Sequence, residues 1–88
     1  MKINGKPVQV IAWFTESGKL KPIRFKILNE DSSYSVVKIN RVLYSNIEKY
    51  AGNYMIMYRC QSIILGAIKP YILKYDIQNC RWIFLSKQ

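Results

Sequence analysis

The chain has 88 residues, half of them apolar, with fourteen Lys and Arg against five Asp and Glu and a formal charge of +9. It contains no histidine, which removes the commonest general base and the commonest metal ligand, and its apolar and aromatic content is that of a globular protein rather than a disordered basic tail. The length predicts a single domain over residues 1–88, and a net positive field of this size favours an anionic partner.

The start, Met1-Lys2-Ile3-Asn4-Gly5-Lys6-Pro7, carries charge but no apolar core, so it does not read as a secretory signal. The longest apolar candidate, Ser62 to Ile68, is interrupted by Gly66 and falls far short of the ~20 residues of a membrane helix. No membrane partner is expected on that ground. Two cysteines are too few for a disulfide framework, and a reduced, cytoplasmic setting is the default.

Period-two alternation of β-branched and aromatic residues predicts six strands, at about 8–15, 20–28, 34–44, 54–65, 68–76 and 81–86. Ser17-Gly18 signals a two-residue hairpin that sets Glu16 opposite Lys19, and hence Ala12, Val10 and Val8 opposite Ile23, Phe25 and Ile27. The Asn29–Ser33 loop leads to a third strand with Leu28 opposite Tyr34, Phe25 opposite Val37 and Ile23 opposite Ile39, which extends one apolar face over three strands. Ser45-Asn46-Ile47-Glu48 has the spacing of a capping box, with Gly52 placed to end a helix, so a short helical turn is expected near 46–51; an irregular loop is the plain alternative. Gly66-Ala67 predicts a turn that pairs Cys60 with Leu73, Tyr58 with Tyr75 and Ile56 with Ile77. The fold class is therefore all-β: a small six-stranded antiparallel barrel or roll, SH3-like or OB-like, with one helical turn; a two-layer sandwich remains open.

These registers sort residues by face. The outward face of the first three strands carries Gln9, Ile11, Trp13, Pro22, Arg24, Lys26, Val36 and Lys38, with Arg24 directly opposite Lys38. Like charges so paired repel, and an anion lying across them relieves the repulsion. The second hairpin sets Arg59 opposite Lys74, with Asp76 diagonal to Arg59 and able to blunt its field. Cations beside an aromatic ring are what single-stranded nucleic acid needs, so Arg24, Lys26 and Lys38 are the candidate phosphate contacts, Trp13 or Tyr34 the stacking platform, and Arg59 and Lys74 a secondary pair. The bland alternative is that outward Lys and Arg keep the protein soluble and its edges unpaired, while Trp13, Ile11, Val36 and Pro22 form a second apolar cluster.

Tyr58, Tyr71, Tyr75, Trp82 and Phe84 read as core, whereas Tyr44, Tyr50 and Tyr54 flank the expected helical turn and could seal a partner surface. Cys60 reads as a small buried hydrophobe, and Cys80, beside Arg81, as a conceivable thiolate with no histidine base to activate it. No metal site, cofactor motif, phosphate loop or nucleophile elbow is present in the pattern, and no small-molecule substrate is implied, so catalysis is not expected.

The order Gly18, Pro22-x-x-Phe25, Tyr34-x-Val36, Tyr71-x-Leu73-x-Tyr75-Asp76 and Trp82-x-x-Leu85 resembles small uncharacterised all-β bacterial domains, some of them attached to DNA-repair proteins. The resemblance covers about residues 18–85 and departs at Ile27, where a tryptophan is expected. It implies an all-β fold and a nucleic-acid partner, and it carries over no site residues. The expectation is a non-catalytic module that binds nucleic acid through its phosphate backbone; the alternative is a protein-interaction module or a homodimer, suggested by the many tyrosines and by strands apolar on both faces.

Overall fold

The computed structural model describes residues 5–86. Seven strands form one antiparallel sheet: β1 (Lys6–Phe14), β2 (Leu20–Leu28), β3 (Tyr34–Lys38), β4 (Arg41–Tyr50), β5 (Asn53–Ile64), β6 (Ala67–Asp76) and β7 (Arg81–Ser86). Their order is β3-β2-β1-β7-β6-β5-β4. β1 belongs to two layers at once, since Gln9–Phe14 pair with β2 and Lys6–Val8 pair with β7. The sheet curls about this shared strand into a half-barrel whose inner faces meet.

The inner faces carry the residues that the alternation assigns to burial. Phe25 from β2 lies 5.3 Å from the Tyr71 ring and 5.5 Å from Phe84, and Trp82 packs between Tyr58 and Tyr75. Phe25, Ile39, Tyr58, Cys60, Tyr71, Leu73 and Trp82 form the buried cluster. So small a sheet has room for few core side chains, and aromatics supply most area per position. The hydroxyls that burial brings with them are satisfied: Tyr58 Oη donates to the Leu20 carbonyl at 2.6 Å, and Ser62 Oγ donates to the Lys38 carbonyl at 2.7 Å. The second bond, with Asn40 Oδ1 accepting from Ile63 N at 2.9 Å, ties the end of β3 to β5 across the curl.

The expected helical turn near 46–51 is strand instead. β4 runs through Tyr50 and turns at Ala51-Gly52, both at positive φ (51° and 87°). Ser45 and Glu48, whose spacing suggested a cap, pair with Tyr58 and Met55 of β5. A lone helical turn suffers the full nucleation penalty, whereas a ten-residue strand gains a whole ladder from β5. The expected third strand, 34–44, breaks at Ile39-Asn40, where the chain leaves one edge of the half-barrel and starts the other. That break turns six expected strands into seven.

The first hairpin departs from its expected register and then returns to it. Thr15 N donates to Lys19 O and Gly18 N donates to Thr15 O, so the loop is Glu16-Ser17-Gly18 with Gly18 at φ +86°, not a two-residue turn. Glycine takes this left-handed position without a Cβ clash. Ala12 consequently faces Pro22 and Trp13 faces Lys21. Ile23 is the extra residue of a bulge, after which Ile11 faces Arg24 and Val10 faces Phe25 as expected. The bulge turns Pro22, expected outside, into the core, where it is fully buried. In the β5–β6 hairpin the turn is Leu65-Gly66, one residue earlier than expected, so Cys60 faces Tyr71, Tyr58 faces Leu73 and Ile56 faces Tyr75. A slip of two in the partner leaves every side chain on its expected face.

Candidate nucleic-acid interface

The outer face of β1–β3 presents Gln9, Ile11 and Trp13, then Lys21, Arg24 and Lys26, then Val36 and Lys38, all exposed. Arg24 stands directly opposite Lys38 on one side and Ile11 on the other; Lys26 is flanked by Gln9 and Val36. Cβ atoms of such pairs lie about 5 Å apart, and two unit charges ~6 Å apart repel by roughly 0.7 kcal/mol in water. Among the described residues the ion pair is Lys74 with Glu48, so no carboxylate neutralises Arg24 or Lys38. A shallow depression of about 330 Å³ lies along this face, lined in part by Gln9, Ile11, Arg24, Lys26 and Val36.

Two aromatic rings bracket the cations. Trp13 is 65% exposed, beside Lys21. Tyr34 is exposed at the other end, with the Lys26 ammonium 5.3 Å above its ring. The stretch of β2 from Lys21, opposite Trp13, to Leu28, opposite Tyr34, spans roughly 20 Å at ~3.3 Å per residue. Near Tyr34 the sheet opens, because β1 leaves β2 beyond Gln9 to pair with β7. The cleft so formed holds about 520 Å³ and is lined by Gln9, Lys26, Tyr34, Arg81 and Trp82 among others. Arg81 thus adds a cation to this end of the face.

Arg59 and Lys74 do not extend the site. They lie on the outer face of the β4–β7 layer, where Arg59 faces Ile72 and Lys74 faces Met57, not each other. The Lys74 ammonium is 3.0 Å from Glu48 Oε1 and half-buried, so its charge is neutralised locally. The expected pairing of Asp76 with Arg59 is also replaced. Asp76 faces Met55 and Arg81, and its carboxylate accepts from the main-chain N–H of Gln78 and Asn79 and from Asn79 Nδ2. Those bonds, the Asn79 side chain first, hold the Asp76 carboxyl below the usual carboxylate range. Asp76 is the staple of the β6–β7 turn.

Lys21 and Arg81 are not apparent as site residues in the sequence. Lys21 moves to the outer face only because a three-residue turn precedes the Ile23 bulge, and Gly18 in the third loop position was the one available signal. Arg81 reaches the face through the β1 crossover, which leaves no local mark. Tyr44 and Tyr54 are exposed on β4 and β5, away from these cations. Cys60 is buried and Cys80 exposed, both free. Among the described residues no three His, Cys, Asp or Glu side chains cluster as a metal ion would require. Among the described residues no helix is long and apolar enough to cross a membrane. No protein-family model, curated protein or solved structure matches this chain.

Proposed function

We propose that the protein is a non-catalytic module that binds nucleic acid along the outer face of β1–β3. The observation that carries this reading is the Arg24–Lys38 pair: two cations held opposite each other by strand register, with no carboxylate beside them. Phosphates lying along β2 relieve that repulsion, with Lys21, Arg24, Lys26 and Lys38 as contacts and Trp13 and Tyr34 offering ring faces to unpaired bases. The face is built from three strands and presents no helix or ribbon to enter a groove, so contacts are to backbone and largely indifferent to sequence. On this reading the curled sheet is a relative of SH3-like and OB-like barrels, whose strand faces suit such contacts.

The test is fluorescence anisotropy with single- and double-stranded oligonucleotides across a salt series. Neutralising about four phosphates predicts a log–log salt slope of about −3 for a single strand. The double variant Arg24→Glu/Lys38→Glu is expected to lose binding with an unchanged far-UV spectrum. Unaltered affinity in that variant, or no binding by the wild type at low salt, overturns the reading.

A further inference from the structure

The β5–β6 hairpin ends in an apolar tip that nothing in the fold requires. Leu65 is fully exposed, and the cross-strand pair Ile63 and Ile68 behind it is 61% and 67% exposed. Leu65 occupies the first central position of the turn at φ 52°, followed by Gly66 at φ 78°. This conformation favours Asn, Asp or Gly, because a Cβ is strained there. The β4–β5 hairpin makes the same kind of turn with Ala51 at that position (φ 51°), so the geometry does not call for leucine. Leu65 therefore accepts backbone strain and solvent exposure together, with no packing in return. A residue that breaks local rules without an internal gain points to an external one.

Charge identifies what the tip meets. Arg41 faces Gln61, Lys69 faces Ser62, and both are exposed one or two residues behind the apolar tip on opposite faces of the sheet. From Cys60 to Tyr75 the hairpin contains no acidic residue. Glu48 and Asp76 lie at the far end of the same strands, level with Met55. The tip is a protrusion, not a groove, so its occupant must yield around it. An apolar point with cations set behind it, on a chain of charge +9, matches a bilayer surface bearing anionic headgroups.

We propose that the β5–β6 hairpin docks the protein on an anionic lipid surface, with Leu65, Ile63 and Ile68 entering the headgroup–acyl boundary and Arg41 and Lys69 holding headgroup anions. This reverses the expectation of no membrane partner, which considered only spanning segments, and it is independent of the nucleic-acid reading. The experiment is co-sedimentation with phosphatidylcholine vesicles, with and without phosphatidylserine, comparing the wild type with Leu65→Asn. Asparagine suits the left-handed turn, so this variant is expected to fold with an equal or higher thermal midpoint. Its partition onto phosphatidylserine vesicles is expected to fall at least tenfold, the effect of losing one buried leucine. Arg41→Glu/Lys69→Glu is expected to remove the phosphatidylserine dependence. No wild-type binding to phosphatidylserine vesicles, or equal binding by folded Leu65→Asn, overturns the proposal; so does a Leu65-dependent dimer by light scattering without vesicle binding.

Discussion

Ser62 and Tyr71 share a hydrogen bond between their hydroxyls in the core, and because Ser62 Oγ donates to the Lys38 carbonyl, Tyr71 must be the donor to Ser62. The relay runs from β6 through β5 to the last residue of β3, and so ties the β3 edge to the opposite layer of the curl. It also fixes the backbone of Lys38, one of the two cations on which the candidate interface rests.

Replacing Ser62 with Ala should therefore cost about 1–3 kcal/mol, because it leaves the Tyr71 hydroxyl without its partner and withdraws the side-chain donor from the Lys38 carbonyl. Urea denaturation is the measurement. A variant as stable as the wild type would mean that the relay does not hold the curl closed. Ser62→Ala should also weaken oligonucleotide binding, by loosening Lys38 while leaving the net charge unchanged.

Converting the like-charged pair into an opposite one should separate stability from binding. Lys38→Glu is expected to stabilise the free protein by a few tenths of a kcal/mol to ~1 kcal/mol, since Glu would face Arg24 across the ladder. The same substitution should weaken oligonucleotide binding and flatten its salt dependence. If stability and affinity moved together, the pair would be acting through the fold rather than through a ligand.

Trp13 gives a local reading of single-strand contact. The protein has two tryptophans, of which Trp82 is buried and Trp13 exposed, so long-wavelength emission belongs to Trp13. A single-stranded oligonucleotide is expected to quench that emission by base stacking, and Trp13→Ala should cost about 1–3 kcal/mol of affinity. Quenching that persists in Trp13→Phe would place the contact elsewhere.

Burial sets an alkaline limit on stability. It pushes the Tyr58 and Tyr71 hydroxyls from 10.0 to about 12 and the Cys60 thiol from 9.0 to about 12. Between pH 9 and 12 the unfolded chain gives up these protons while the folded one keeps them, so stability falls as pH rises through this window and is unaffected below it. Denaturation midpoints across that range check this. The Tyr58 and Tyr71 hydroxyls should ionise late, in a step of tyrosinate absorbance that accompanies unfolding. A single smooth titration of all seven tyrosines in the folded state would contradict it.

The two thiols should differ in access. Cys80 is exposed at the β6–β7 turn and is expected to react with an aromatic disulfide reagent in the native protein, while Cys60 reacts only after unfolding. Release of two equivalents from native protein would show that the core opens at that site.

Strand character and sidedness were legible in the chain because they are local. Alternation put Val10, Phe25, Val37, Cys60 and Leu73 on one face, and a hairpin slip of two residues could not move them off it. The same logic placed Arg24 opposite Lys38, and the structure keeps them there. Longer-range features were not legible. Ser45 to Glu48 satisfied a local helix signal, and only the ladder offered by β5 made them strand. Nothing near Pro22 announces that a bulge at Ile23 will turn it inward and bring Lys21 beside Trp13. The division of β1 between β2 and β7, which curls the sheet, opens the cleft at Tyr34 and recruits Arg81, is a property of the assembled strands. Periodicity is written in neighbouring residues, but bulges, edges and curl are settled by which strands compete for the same hydrogen bonds, and that competition exists only in the folded sheet.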